Sequence, residues 1–364
     1  MAGTAPASCD VLVIGAGPAG SACAQVLARA GLDVLLCDRH EFPRDKVCGD
    51  GLIPDAHRAL ARLGVVDAVL ARAARSAQLE CFAPRGGRLS VPAPLAVLPR
   101  RELDEILRQA ALSAGARWLA PVRFESLLED ATGRVAGACM REGEALCELR
   151  ARWTVLATGA DARALEAAGM SERRSPSGMA LRGYAHHPGL AAQVGGLQVV
   201  WHKALRGGYG WIFPVGGGRF NFGVGYMHGP GAEREQDAPN LRGLLAEFRR
   251  VHGPARTLLE EGTPEGDVKG APLRCSLGGG RLPPPGPRAG VVPNGARPAA
   301  TAWFGSEKGW ANRAPSCGCA CSSAWTPPAP PRTVKLATLG VSGVIPCRAS
   351  VAAKPSRRSA NSPW

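Results

Sequence analysis

The sequence predicts an α/β chain in which a doubly wound parallel sheet is interrupted by an antiparallel one. Three observations predict it. A buried strand runs into a glycine turn at residues 10–20, glycine-punctuated strands fill residues 174–270, and the composition changes near residue 286, after which neither pattern continues. The first carries the most weight. After Asp10, Val11-Leu12-Val13-Ile14 is the unbroken apolar run of a strand covered on both faces. Gly15-Ala16-Gly17-Pro18-Ala19-Gly20 follows, then a small, apolar-rich helix from Ser21 to Ala30, then a second strand from Asp33 to Cys37 that ends at Asp38. A G-x-G-x-x-G turn between strand and helix, with an acid about 20 residues on, is the context of a Rossmann-like dinucleotide-binding domain. Gly15 permits the tight turn, Gly17 lets the backbone approach a pyrophosphate, and Gly20 lets helix and strand pack closely. The turn residues Ala16 and Ala19 belong to the same cradle, whose free helix N–H groups attract phosphate. Asp38 is placed to accept hydrogen bonds from a ribose, with Arg39 beside it.

A length of 364 residues suggests about two domains. No run of about eighteen uncharged apolar residues exists, so no membrane span is expected. No cationic segment precedes the first apolar run, so no export leader is expected either, and a cytoplasmic setting follows. The net charge of +14 is unevenly spread: residues 281–364 hold 11 Lys and Arg against the single acid Glu307. That excess lacks helical periodicity and interleaved aromatics, which argues against a nucleic-acid partner. Of the 12 cysteines, Cys9, Cys23, Cys37, Cys81, Cys139, Cys147 and Cys275 sit in apolar or strand-like stretches. Cys317, Cys319 and Cys321 form C-x-C-x-C, which is not zinc spacing. No metal and no disulfide framework are expected.

After Asp38 the chain reads Phe42-Pro43-Arg44-Asp45-Lys46-Val47-Cys48-Gly49-Asp50-Gly51-Leu52, a charged, glycine-punctuated loop, and Pro54 opens a helix to about Leu63. Two glycines flanking Asp50 let a backbone lie flat against a planar ligand, or simply mark a solvent turn. Together with the opening motif, this segment resembles the geranylgeranyl reductase family, within the flavin-dependent oxidoreductases similar to p-hydroxybenzoate hydroxylase. The resemblance implies that the dinucleotide is FAD, that Cys48 and Gly49 lie beside the flavin ring, and that Cys48 is a candidate catalytic proton donor, with a solvent proton as the alternative. Residues 77–97 read as a hairpin around Gly86-Gly87 inserted in the FAD-binding domain, which takes 8–76 and 98–173. Arg100, Leu103 and Asp104 match a family pattern at the start of an amphipathic helix ending at Gly115, implying that Arg100 contacts FAD. A guanidinium fork suits phosphate oxygens, although a solvated charge at a helix start is the plainer reading. The strand Trp153–Thr158 ends in Gly159-Ala160-Asp161, resembling a second flavin segment at Gly159.

Residues 174–270 read as a substrate domain. Strands at 179–187, 197–202, 210–215 and 219–227 precede a helix at 241–251. Tyr209-Gly210-Trp211-Ile212-Phe213-Pro214 resembles the family's Y-x-W-x-F-P segment, which borders the isoprenoid pocket. Alternation puts Tyr209, Trp211 and Phe213 on one face, where three aromatics line a slot or form a core. Residues 271–285 are expected to return to the first domain. The family's third flavin segment, a strand ending Gly-Asp and then a Gly-Glu-Gly helix, is not matched by Gly290-Val291-Val292-Pro293-Asn294-Gly295. The resemblance stops near 285, and residues 286–364 read as an irregular or disordered basic, proline-rich tail, native or produced by a shifted reading frame or truncation.

The resemblance implies FAD-dependent reduction of C=C bonds in a geranylgeranyl or other polyprenyl chain. The reductant (NADPH or a ferredoxin-type donor) and the oligomeric state stay open, and a lipid substrate implies peripheral membrane contact. The rivals are a monooxygenase or halogenase on the same scaffold, and an inactive chain unable to hold FAD.

Overall fold

The computed structural model describes residues 8–169, 176, 178–227, 239–273 and 291–293. The first part of the chain forms β1 (Ser8–Ile14), α1 (Pro18–Arg29), β2 (Val34–Cys37), β3 (Gly51–Leu52), α2 (Pro54–Arg62), α3 (Val66–Leu70), β4 (Ala74–Phe82) and β5 (Arg88–Val97). Next come α4 (Arg100–Ser113), β6 (Arg117–Leu119), β7 (Arg123–Glu129), β8 (Val135–Glu142), β9 (Ala145–Leu156) and α5 (Ala162–Ala167). The remainder forms β10 (Gly178–His186), α6 (Pro188–Ala191), β11 (Leu197–Val200), β12 (Tyr209–Gly216), β13 (Arg219–Met227), α7 (Leu241–Val251), α8 (Gly253–Glu261), β14 (Thr263–Pro264), β15 (Lys269–Leu273) and β16 (Val291–Pro293).

The first sheet has the order β6-β2-β1-β9-β8-β7, with β16 also on β9. Its β6, β2, β1, β9 and β16 pairings are parallel, while β7 and β8 add antiparallel strands at one side. Leu12 and Ile14 pack with Leu35, Phe124 and Met140 on one face, and Val11 and Val13 pack with Ala24 and Leu27 of α1 on the other. A strand covered on both sides has no polar face to alternate, which is why its sequence is uniformly apolar. Helix α1 starts at Pro18, three residues before the expected Ser21. Proline's fixed φ suits the first helical position, where its missing N–H costs nothing.

The second sheet has the order β14-β10-β13-β12-β11-β4-β5-β3, with β15 on β10. It is antiparallel except where β11 meets β4. One face carries Ile212, Phe220, Phe222 and Val224 against Phe248 of α7 and Leu258 of α8. The opposite face carries Trp211, Phe213, Leu197 and Val199 with Leu95 and Val97. Two boundaries differ from expectation. The hairpin at 77–97 is part of this second sheet, because β4 finds a parallel partner in β11. Residues 269–273 also stay in it, on β10, and the strand that joins β9 is Val291–Pro293, beyond the expected return at 271–285. Apart from Val291–Pro293, the irregular tail expected over 286–364 lies outside the described residues.

Among the described residues no helix is long and apolar enough to cross a membrane, and the seven described cysteines are all free.

Candidate functional site

The glycine turn joins β1 to α1 and is held on three sides. Gly15 has φ +103°, a left-handed conformation open to glycine, and its N–H donates to the Cys37 carbonyl at 2.7 Å. A Cβ on Gly20 would collide with the Gly15 carbonyl oxygen, so the helix rests directly on the turn. Gly17 is different: the nearest atoms to a Cβ there are guanidinium nitrogens, Arg100 at 3.7 Å and Arg44 at 3.8 Å. No side chain caps α1, so its first N–H groups point into that same space. Asp38 is buried at the end of β2, where Oδ2 accepts from the Ala16 N–H at 2.8 Å and Oδ1 from the His40 N–H at 3.0 Å. A carboxylate has about four lone-pair sites, so both oxygens keep capacity for another donor.

A cluster of cations faces the turn. Arg100 forks onto Asp104, with Nε 2.6 Å from Oδ1 and Nη2 2.9 Å from Oδ2. The Arg44 Nη1 lies 2.9 Å from Asp104 Oδ2 but makes no hydrogen bond there, and Nε stands 3.9 Å from Asp38. Asp104 is fully buried. Arg44 lies over the Phe42 ring at 4.6 Å, and Phe42 meets Trp118 edge-on at 5.5 Å. Lys46 completes the group: burial, and then the Arg100 and Arg44 charges, hold its ammonium below the ordinary lysine pKa. An unused guanidinium nitrogen, an uncapped helix N-terminus and open space above Gly17 fit a diphosphate. Sequence reasoning singled out Arg100 but missed Arg44, Lys46 and Asp104 as members of one site. The i, i+4 spacing of Arg100 and Asp104 was a signal; Arg44 and Lys46 sit in a loop with no periodicity to read.

The loop that follows connects this cluster to the second sheet. The Cys48 side chain lies beside the Arg100 guanidinium. The Cys48 carbonyl accepts from Asn221 Nδ2 at 2.8 Å, and Asn221 Oδ1 accepts from Trp211 Nε1 at 2.8 Å. Asp50, with φ +63°, accepts from the Tyr184 hydroxyl and from Asn221 Nδ2 (2.7 Å), both on Oδ2. Arg182 on β10 donates to Asp45 at 2.8 Å and stacks over Tyr184, and Lys269 reaches the other Asp45 oxygen at 2.9 Å.

Burial pushes the Asp50 carboxyl up to about 6, against the pull of its Tyr184 and Asn221 donors. A carboxyl whose folded pKa exceeds its unfolded value binds its proton more tightly when folded. Its stabilising contribution is complete below the unfolded value near 4 and is lost as pH rises through about 6. Asp50→Asn, which cannot ionise, should therefore gain on the wild type between pH 4 and pH 7, by on the order of 3 kcal/mol. Urea denaturation at the two pH values measures it; an equal gap at both would refute the assignment.

The remaining expected site residues are spread more widely. Arg39 is exposed and paired with Asp161 at 2.8 Å, bridging the ends of β2 and β9, and Asp161 caps α5. Arg39→Ala should change unfolding free energy by less than about 1 kcal/mol, because both partners are solvated; a larger loss in a thermal melt would contradict this. Gly159 has φ +68° with open space where a Cβ would be. Trp211 and Phe213 are buried together, and Gly49 and Gly51 pack on the Phe213 ring. Tyr209 is half-buried with its ring 5.9 Å from Trp211, and both rings lie against glycines of β13, Gly225 under Tyr209 and Gly223 under Trp211. Trp201, Leu79 and Val215 are partly covered neighbours on the same face.

Comparison with known proteins identifies the family. Residues 8–256 match the FAD binding domain family. The chain is 35% identical to the menaquinone reductase of Mycolicibacterium smegmatis over 255 residues, covering 66% of this chain and 59% of that protein. It is 33% identical to digeranylgeranylglycerophospholipid reductase 1 of Methanopyrus kandleri over 276 residues, covering 74% of this chain and 67% of that one. The chain thus spans less than two thirds of the length of the menaquinone reductases it matches. Among solved structures, a geranylgeranyl bacteriochlorophyll reductase-like protein from Thermoplasma acidophilum superposes with a TM-score of 0.63 at 22% identity, over 79% of this chain and 70% of that chain. A flavin-dependent brominase superposes with a TM-score of 0.60 at 20% identity, over 72% of this chain and 67% of that chain. At such identities what is shared is the fold. The glycine turn, the doubly wound sheet and the matched span place this chain in the FAD-binding domain family, among its geranylgeranyl reductase-like members.

Proposed function

We propose that this chain is an FAD-dependent oxidoreductase that reduces C=C bonds of a polyprenyl chain. The observation that carries the reading is the loop 46–51, which runs from beside Arg100 and the glycine turn to the aromatic face of the second sheet, where Asn221 and Phe213 hold it. A dinucleotide seated on the turn is thereby directed toward an apolar surface. Gly15, Ala16, Gly17, Ala19 and Gly20 supply the backbone cradle, Arg100 and Arg44 neutralise the diphosphate, and Asp38 accepts from the ribose. Cys48, Gly49 and Gly159 are the backbone positions alongside the ring. When bound, the flavin supplies a hydride. The chain's own residues orient the alkene and exclude water, with Tyr209, Trp201 and Leu79 as the apolar edge along which the lipid lies and Trp211 and Phe213 as the packed floor beneath. The relative named for a digeranylgeranyl group supports an isoprenoid substrate. A lipid of that kind implies access from a membrane surface.

The brominase neighbour favours a second reading, oxygen-dependent chemistry on the same fold. Purified protein should carry a visible flavin spectrum. Under anaerobic conditions, with chemically reduced flavin and a geranylgeranyl lipid, mass spectrometry should show gain of two mass units per bond reduced. A product formed only under air, carrying oxygen or halogen, would replace this reading with the second, and colourless protein that takes up no FAD would remove both.

A further inference from the structure

We propose that Asp50 supplies the proton of the reduction from its Oδ1, with Tyr184 and Asn221 as the residues that position it. The inference deepens the proposed function and rests on it. Its ground is an asymmetry in one carboxyl group. Oδ2 takes two donors, the Tyr184 hydroxyl and Asn221 Nδ2, while Oδ1 is buried without any hydrogen-bond partner. An unpaired buried polar atom is costly, and its retention calls for a role. A structural ion pair does not provide one. Among the described residues no cation pairs with Asp50: Arg182 is on Asp45, Arg219 on Glu265, and Arg100 on Asp104.

The backbone points the same way. Asp50 has φ +63°, a conformation that side chains adopt at a cost, and such residues concentrate where function holds them. Its place is also specific. Cys48 and Gly49 lead back to Arg100 and the glycine turn, and Asn221 links forward to Trp211 on the apolar face. The carboxyl therefore stands where a ring held by the first part would meet an alkene held by the second. The groups facing it are Tyr184 and Arg182 of β10, Asn221 and Arg219 of β13, Arg100 of α4, and Cys48 of its own loop. Burial favours the neutral acid. Excluding more water with a bound lipid acts in the same direction.

An isolated alkene has no oxygen through which solvent can protonate it, so the acid has to be inside the apolar site. In the reduction the C=C π bond breaks. One carbon forms a C–H bond with the hydride and the other forms a C–H bond with the Asp50 proton. Asp50 is left as a carboxylate, held by the Tyr184 and Asn221 donors, and regains a proton from solvent after the product leaves. The two electrons come from the external reductant that recharges the flavin, which is dithionite in the experiment below.

Asp50→Asn separates proton supply from architecture. Asparagine tolerates the left-handed backbone, its Oδ1 can accept from Tyr184 and Asn221, and its amide nitrogen takes the place of the unpaired oxygen as a donor that cannot release its proton. The variant should bind FAD within threefold of the wild-type affinity and bleach with dithionite at the same stoichiometry. It should hydrogenate a geranylgeranyl lipid about 10²–10⁴-fold more slowly. The wild-type rate should fall tenfold per pH unit above the carboxyl pKa, and the residual rate of Asp50→Asn should be flat with pH. Tyr184→Phe, which removes a donor that favours the carboxylate, should move the fall to higher pH. A variant that loses FAD marks Asp50 as structural and overturns the inference. So does one that hydrogenates at the wild-type rate with the wild-type profile. Wild-type protein that binds and bleaches flavin but hydrogenates no alkene overturns the proposed function itself, and this inference with it.

Discussion

Replacing Asp104 with alanine should cost about 3–5 kcal/mol of folding free energy and leave the protein without bound flavin. Asp104 is fully buried and is the shared counter-charge of Arg100, which forks onto it, and Arg44, whose Nη1 lies 2.9 Å away. Removing it leaves two largely buried guanidinium groups beside Lys46, with only Asp38, 3.9 Å from Arg44, as a nearby anion. Repulsion and desolvation then act together, since each cation has already given up most of its water. The comparison variant is Arg39→Ala, whose side chain is solvated and whose loss should be small. Urea denaturation gives the stabilities and absorbance near 450 nm gives flavin content. If Asp104→Ala retained flavin and unfolded within about 1 kcal/mol of wild type, the cluster would not be the electrostatic clamp described here.

The second large effect is expected at Gly20. A single methyl there would strike the Gly15 carbonyl oxygen and press on Ala157, so the helix must lift from the turn that positions its N-terminus. Gly20→Ala should cost about 1–3 kcal/mol from overpacking and, by displacing the cradle, should lower FAD affinity at least a hundredfold. Gly31→Ala is the control. Unlike Gly20 it sits at positive φ, +84°, and it meets nothing within 4 Å, so only backbone strain of about 1 kcal/mol applies and flavin binding should be unchanged. Equal flavin titrations for the two variants would show that close packing at Gly20 does not govern the cradle.

The uneven legibility of the chain has a physical cause. The buried strand at 11–14, the turn at 15–20 and the acid at Asp38 are contiguous or nearly so, and their chemistry depends on local backbone geometry. The strands of 178–227 were legible for a similar reason: glycine turns bound them, and alternation places Tyr209, Trp211 and Phe213 together. The hairpin at 74–97 was legible as a hairpin but not as a member of the second sheet, because a parallel partner more than a hundred residues away leaves no local mark. The same holds for Val291–Pro293, a three-residue strand whose identity comes from its neighbour β9.

The sequence by itself determined the dinucleotide cradle, because strand, turn and helix are set by residue-to-residue backbone preferences and by an unbroken apolar run. Only the tertiary structure decided that Arg44, Lys46 and Arg100 gather around Asp104, and that Asp50 is held by Tyr184 and Asn221 from strands more than 130 residues distant. Charges and hydrogen bonds act across a few ångströms of space whatever the separation along the chain. Which side chains share a carboxylate is therefore settled by how the two sheets meet, and that meeting is written in no single stretch of residues.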